Sequence, residues 1–198
     1  MEGVEIKRLE VGIFKNNCYI LISPLTQESV IIDPGAEAQR ILHEVKGRAT
    51  KYILITHGHS DHMGALEEVR MHTGAPVGIH PEDVKVLKKQ PDFFLQDGQT
   101  LALGDATIRV LHTPGHSPGG VCFHVGKILF SGDTIFPNGP GNTLIPGANE
   151  EDLPESIHSK IFVLPDDIII YPGHGLETTV GREKATPCYP CIRRRKGS

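Results

Sequence analysis

Thr56-His57-Gly58-His59-Ser60-Asp61-His62 is the stretch on which the reading of this chain turns. Three histidines and an aspartate crowd the end of residues 52–55, an apolar run too short for a helix and suited to a buried strand. His57 and His59 stand two apart, so extended chain points them to the same side. Asp61 and His62 follow at an expected helix start. Gly58 and Ser60 are small enough for the backbone to bend around a ligand. Neutral imidazole together with carboxylate suits Zn²⁺, Fe²⁺ or Mn²⁺. A merely polar loop has no need of so many ligand types at a strand end, which is where open sites form.

Working outward, the chain alternates short strands with turns and a few helices. Residues 4–9, 18–22 and 30–32 read as strands, separated by turn signals at Gly12, Asn16-Asn17, Pro24 and Asp33-Pro34-Gly35. Residues 36–45 carry Ala38, Ile41, Leu42 and Val45 on one helical stripe, with Gly47 as the stop. A second helix is expected from Asp61 or His62 to His72, then a strand at 77–79 and a short helix at 81–88 with proline in its first turn. The second half runs in the same order. Residues 107–111 alternate, 120–125 and 127–130 pair around Gly126, 152–162 is helical, and 168–171 is a buried strand. A β-rich run followed by β-α, twice over, predicts an α+β protein. Two packed sheets with helices outside fit it better than a purely parallel βαβ fold.

Three further segments carry ligands. His116 lies in His112-Thr113-Pro114-Gly115-His116-Ser117, Asp133 in Ser131-Gly132-Asp133-Thr134, and His174 in Tyr171-Pro172-Gly173-His174-Gly175. Each follows an expected strand, so several strand ends would line one rim. Five histidines and two aspartates are too many for one tetrahedral zinc and enough for two metals.

The order His57-x-His59-x-Asp61-His62, then His116, Asp133 and His174, resembles the metallo-β-lactamase superfamily along nearly the whole chain. Within it, HTPGHSPGG (112–120), GDTIF (132–136) and PGHG (172–175) look like a small glyoxalase II-type hydrolase. The resemblance implies an αββα four-layer sandwich, two mixed β-sheets with helices on the outer faces, over residues 1–185. Residues 186–198 would form a short basic tail. It further implies that His57, His59 and His116 hold a first metal, that Asp61, His62 and His174 hold a second, and that Asp133 bridges both. Two divalent ions per chain are expected, zinc first, with iron or manganese as alternatives. A water shared by the metals would become hydroxide near neutral pH and attack a carbonyl, with Asp61 as the catalytic residue that orients it and takes its proton. The expected substrate is a small-molecule thioester such as a hydroxyacylglutathione. Alternatives on the same scaffold are an iron-dependent persulfide dioxygenase and a non-catalytic metal-binding protein.

The chain departs from that family at Gly139-Pro140-Gly141-Asn142-Thr143-Leu144, where small members often carry a G-x-G-R/K or GRTD run. Neutral Asn142 cannot pair with a glutathione carboxylate as Arg or Lys would. Only 27 residues follow Tyr171, too few for the helical glutathione-binding domain of larger glyoxalase II enzymes. Arg182, Lys184 and residues 193–195 are the cations positioned in sequence to compensate; no substrate-binding residue is assigned. His112 is expected to be a structural hydrogen-bonder rather than a ligand. Asp33 resembles a buried family aspartate that supports the site, and by sequence alone equally suits an ordinary turn. His43, His72, His80, His124 and His158 lack ligand spacing.

Composition excludes other classes. The net charge is −4, and with the 4 basic residues of 193–196 set aside from 20, 16 face 24 acidic residues. That is a poor balance for a nucleic-acid or membrane-surface partner. No apolar run approaches the length of a membrane span, and the start has no basic, apolar leader pattern. Cys18 and Cys122 sit in strand runs as small buried groups, Cys188 and Cys191 form a lone CxxC, and four cysteines make no disulfide framework. A cytoplasmic location is expected.

Overall fold

The computed structural model describes residues 3–186. The strands are those of a chain that buries both faces of two sheets. The first sheet holds β1 (Glu5–Val11), β2 (Asn16–Ile22), β3 (Glu28–Ile32), β4 (Ala49–Leu54), β5 (Val77–Ile79) and β6 (Phe93–Phe94), in that spatial order. The first three are antiparallel and the last four parallel. The second sheet is ordered β14-β13-β10-β9-β8-β7, with β7 (Thr100–Leu103), β8 (Ala106–His112), β9 (Val121–Val125), β10 (Ile128–Gly132), β13 (Ile169–Pro172) and β14 (Thr178–Thr179). A small ribbon of β11 (Ile135–Phe136) and β12 (Gly139–Pro140) lies between β10 and β13 in sequence. Here too an antiparallel run, β7 to β10, is followed by a parallel crossover from β10 to β13.

Side-chain alternation explains the layers. Along β2, Cys18, Ile20 and Ile22 face one cluster while Tyr19 and Leu21 face another. The first cluster packs sheet one against Ile41 of α1 (Ala38–Glu44), and against Leu66 and Val69 of α3 (Leu66–Thr73). The second lies between the sheets, where Leu21, Ile32 and Leu54 meet Ile108, Val110, Phe123 and Phe130. A third packs Cys122, Leu129 and Ile170 against Leu153 of α4 (Asp152–Ser156) and against Ile157 and Ile161, where the helix continues with π geometry. The result is the four-layer αββα sandwich. A strand buried on both sides reads as a continuous apolar run, which is why 52–55 stood out; 168–171 is apolar throughout but alternates, with Ile168 and Ile170 buried and Ile169 exposed.

Three readings change. The helix expected from Asp61 to His72 is broken into α2 (Ser60–Met63) and α3. The cause is the approach of the Asp33-Pro34-Gly35 segment: Ala65 N–H donates to Pro34 O at 3.0 Å, and a Cβ on Gly35 would collide with Asp61 O. The 81–88 helix is a 3₁₀ segment, Pro81–Val86. Asn16-Asn17 is not the turn between the first two strands; both residues open β2 and are buried, and the turn occupies Gly12 to Lys15. The short strands β6, β7, β11, β12 and β14, and α5 (Val180–Lys184), go unannounced by any pattern used above. Of the expected tail, only Thr186 lies within the described residues; the Cys188/Cys191 pair and the basic run lie outside them. Among the described residues no helix is long and apolar enough to cross a membrane.

Candidate metal centre

Topology gathers the candidate ligands. β3 and β4 run parallel in sheet one, and β10 and β13 in sheet two. β8 is two antiparallel steps from β10 and so points the same way. The carboxyl ends of these five strands deliver Asp33, then His57 to His62, then His116, Asp133 and His174, to one rim.

All seven expected ligand residues meet there. Their donor atoms form three overlapping groups: His57, His59 and His116; His57, His62 and Asp133; Asp61, His62 and His174, each within 4.8 Å. His59 Nδ1 faces His116 Nε2 at 3.0 Å. Asp61 Oδ2 lies 3.2 Å from His174 Nε2.

Four of the imidazoles are held by the nitrogen turned away from this centre. His57 Nδ1 lies 3.0 Å from Thr56 Oγ1, His62 Nδ1 2.9 Å from Asp33 Oδ2, His116 Nδ1 2.8 Å from Asn142 O, and His174 Nδ1 2.9 Å from Phe14 O. Each bond places the proton on Nδ1 and leaves Nε2 as an inward lone pair, the arrangement that prepares an imidazole for a metal. His59 alone turns Nδ1 inward. Asp33 anchors the first ligand loop as well, accepting from Thr56 N–H at 2.8 Å and Thr56 Oγ1–H at 2.6 Å. Asp33 is therefore a supporting residue of the site rather than an ordinary turn residue.

Whether a divalent cation suits these residues can be judged from the atoms left unsatisfied. His57 Nε2, His62 Nε2 and Asp133 Oδ1 are buried and lack a hydrogen-bond partner, and together they are one of the three groups. Buried polar atoms without partners are costly and rare, and divalent cations bound among these residues would satisfy all three. Electrostatics agree. Burial and the neighbouring imidazoles push His57 well below the usual histidine range, so its lone pair is free. Burial also pulls His62 down, but Asp33 and Asp133 outweigh it and raise its pKa to about 10: these carboxylates demand positive charge beside them. Asp133 is lowered despite burial because His62, His174 and His116 surround it. The donor set fits divalent metals.

Residue 11 to residue 174, the span from the end of β1 to the last histidine, matches the family model of the metallo-β-lactamase superfamily. This chain belongs to that superfamily. A hydroxyacylglutathione hydrolase, GloC of Haemophilus influenzae, is 34% identical over 203 residues, covering 91% of this chain and 95% of its own. The solved structure of BLEG-1, a B3 metallo-β-lactamase, superposes with a TM-score of 0.86 at 34% identity, covering 92% and 98% of the two chains. A di-iron-bound form of TTHA1623 does so with a TM-score of 0.80 at 32% identity, covering 91% and 98%. Membership makes the chain a metallo-hydrolase in the broad sense, with a His/Asp cluster suited to divalent metals.

His112 is a structural hydrogen-bonder: its Nε2 lies 3.0 Å from Pro118 O, and its ring stacks on His80 at 4.0 Å. Cys18 and Cys122 are buried free thiols. Lys184 is tied to Asp166 and to Leu164 O, and Arg182 reaches Asn138, so neither is committed to the metal rim. Asn142 serves the fold: its carbonyl orients His116, and its side-chain oxygen accepts from Leu144 N–H at 2.9 Å. Sequence reasoning passed over Asn16, Asn17, Tyr19 and Thr56. Asn17 donates to Pro172 O and Gly175 O, and Tyr19 to Pro172 O at 2.6 Å, so β2 holds the loop that carries His174. The one available signal was a pair of asparagines next to an otherwise apolar strand.

Proposed function

We propose that this chain hydrolyses thioesters, with hydroxyacylglutathiones as the first class to test, using two divalent cations. The position of Asp133 carries the reading. Its Oδ2 lies 3.6 Å from His116 Nε2 and 3.7 Å from His174 Nε2, and its Oδ1 3.4 Å from His62 Nε2. One carboxylate thus faces both histidine groups, as a ligand shared by two metals must. On this reading His57, His59 and His116 hold one cation, Asp61, His62 and His174 the other, and Asp133 touches both. Zinc is the first choice, and the similarity to TTHA1623 makes iron the next to load.

Bound there, divalent cations supply Lewis acidity toward a carbonyl oxygen and an acidified water. The chain's own residues do the rest. Asp61 lies within the second group, 3.2 Å from His174 Nε2, where its carboxylate would orient the attacking water and accept its proton. The Nδ1 bonds of the imidazoles keep their rings from rotating. The similarity to GloC supports glutathione as the thiol half. BLEG-1 makes a β-lactam the second substrate class. The free buried thiols Cys18 and Cys122 support a cytoplasmic site of action.

The test is thiol release from S-D-lactoylglutathione with zinc, iron or manganese supplied in turn, beside ring opening of a chromogenic cephalosporin. Metal-dependent thiol release, lost in Asp133→Ala, supports the proposal. Lactam turnover without thioester turnover overturns the substrate assignment and leaves the two-metal site.

A further inference from the structure

Asp83 lies outside the ligand motifs, on the 3₁₀ segment Pro81–Val86 that follows β5, and it is buried. Its carboxylate makes no ion pair among the described residues. Instead it spans two loops. Oδ2 accepts from Gly58 N–H at 2.8 Å, and Oδ1 accepts from Gly119 N–H at 2.9 Å. Gly58 stands between His57 and His59. Gly119 stands three residues after His116, at the far end of the turn that presents it. One side chain therefore joins the two loops that supply the His57, His59 and His116 group.

The same segment grips the second loop again. His80, the residue before it, stacks on His112 at 4.0 Å and 12°, and His112 Nε2 lies 3.0 Å from Pro118 O. The other group is held by different hands. His62 is locked by Asp33, and His174 by Phe14 O, with its loop tied down by Asn17 and Tyr19.

We infer that Asp83 is a positioning residue for the first metal group alone, setting the distance between the His57/His59 loop and the His116 loop. The inference rests on the two-metal reading above. A carboxylate accepting two amide protons is a strong, fixed bracket. An asparagine in its place keeps one acceptor and turns an NH₂ toward the other amide, so one loop is released. Outer residues of this kind change metal affinity by ~10–100-fold when altered.

The experiment is a zinc titration of the full chain in two backgrounds. His174→Ala leaves the first group intact, and His116→Ala leaves the second. Asp83→Asn is added to each. The expected result is an affinity loss of ~10–100-fold in the His174→Ala background and no change in the His116→Ala background. Asp83→Glu, which restores two acceptors, should recover part of the loss. An equal loss in both backgrounds marks Asp83 as a general fold residue and overturns the inference, as does no loss in either. The unmodified protein is titrated first; if it binds no zinc, iron or manganese, the two-metal reading itself falls. Should Asp83→Asn fail to fold, Asp83→Ser takes its place in the same backgrounds.

Discussion

The Asp33 carboxylate lies 2.9 Å from Nδ1 of His62, and both side chains are sealed from solvent. Twenty-nine residues separate them in sequence. The same carboxylate reaches Thr56, which in turn meets His57 Nδ1 at 3.0 Å. One buried charge thus sets the orientation of a histidine in each proposed metal group. Removing it in Asp33→Ala leaves the Thr56 amide unpaired and His62 Nδ1 facing only Asn16 Nδ2, at 3.0 Å. The expected cost is about 3–5 kcal/mol of folding stability, read by urea unfolding in chelator. Metal affinity should fall as well, by ~10–100-fold at each site.

Gly173 leaves no room for a side chain. A Cβ there would run into Asp133 Oδ1 and come 2.6 Å from His62 Cε1. Gly173→Ala should displace the two ligands that occupy the middle of the cluster. Stability is expected to fall by about 1–3 kcal/mol. Bound metal after dialysis should fall further than that penalty alone explains, and metal analysis beside thermal unfolding checks both.

Two residues of β2 grip the His174 loop unequally. Tyr19 makes one hydrogen bond to Pro172 O, which Asn17 also satisfies. Tyr19→Phe should therefore cost about 1 kcal/mol. Asn17→Ala loses bonds to Pro172 O and Gly175 O together and leaves a void. Its cost should exceed that of Tyr19→Phe, with hydrolysis falling in the same order.

Metal removal should lower the melting temperature. A ligand that binds only the folded state stabilises it by about 4 kcal/mol at a thousand times its dissociation constant. Adding zinc to chelator-stripped protein is expected to raise the melting temperature, and Asp133→Ala should abolish most of the rise. Calorimetry with and without metal makes the comparison.

Phe123 belongs to the fold rather than the site. It is wholly buried between the sheets, against side chains of both. Phe123→Ala should cost about 3–5 kcal/mol. The folded fraction should still bind metal with unchanged stoichiometry, which separates core damage from ligand damage.

The candidate ligands were legible because their chemistry belongs to residue type and their placement to periodicity. Five histidines and two aspartates directly after apolar runs announce strand ends that present donors, whatever the rest of the chain does. The broken helix at Gly64 was not legible, because α2 and α3 carry one continuous helical pattern, and only the Pro34 carbonyl arriving from another loop divides them. The same holds for Asn16 and Asn17, whose type favours turns until burial against the His174 loop gives their amides partners.

What the amino-acid order determined by itself was the set of donors, the strands that carry them, and the packed sheets those apolar strands require. Tertiary structure decided which donors come together and what holds each one still. Asp33 with His62, Asn17 with Pro172, Asn142 with His116 and Asp83 with Gly58 and Gly119 are 25 to 155 residues apart. Such partners are chosen by sheet order and by the demand of each buried polar atom for a bond, and that demand takes a direction only once the layers have closed.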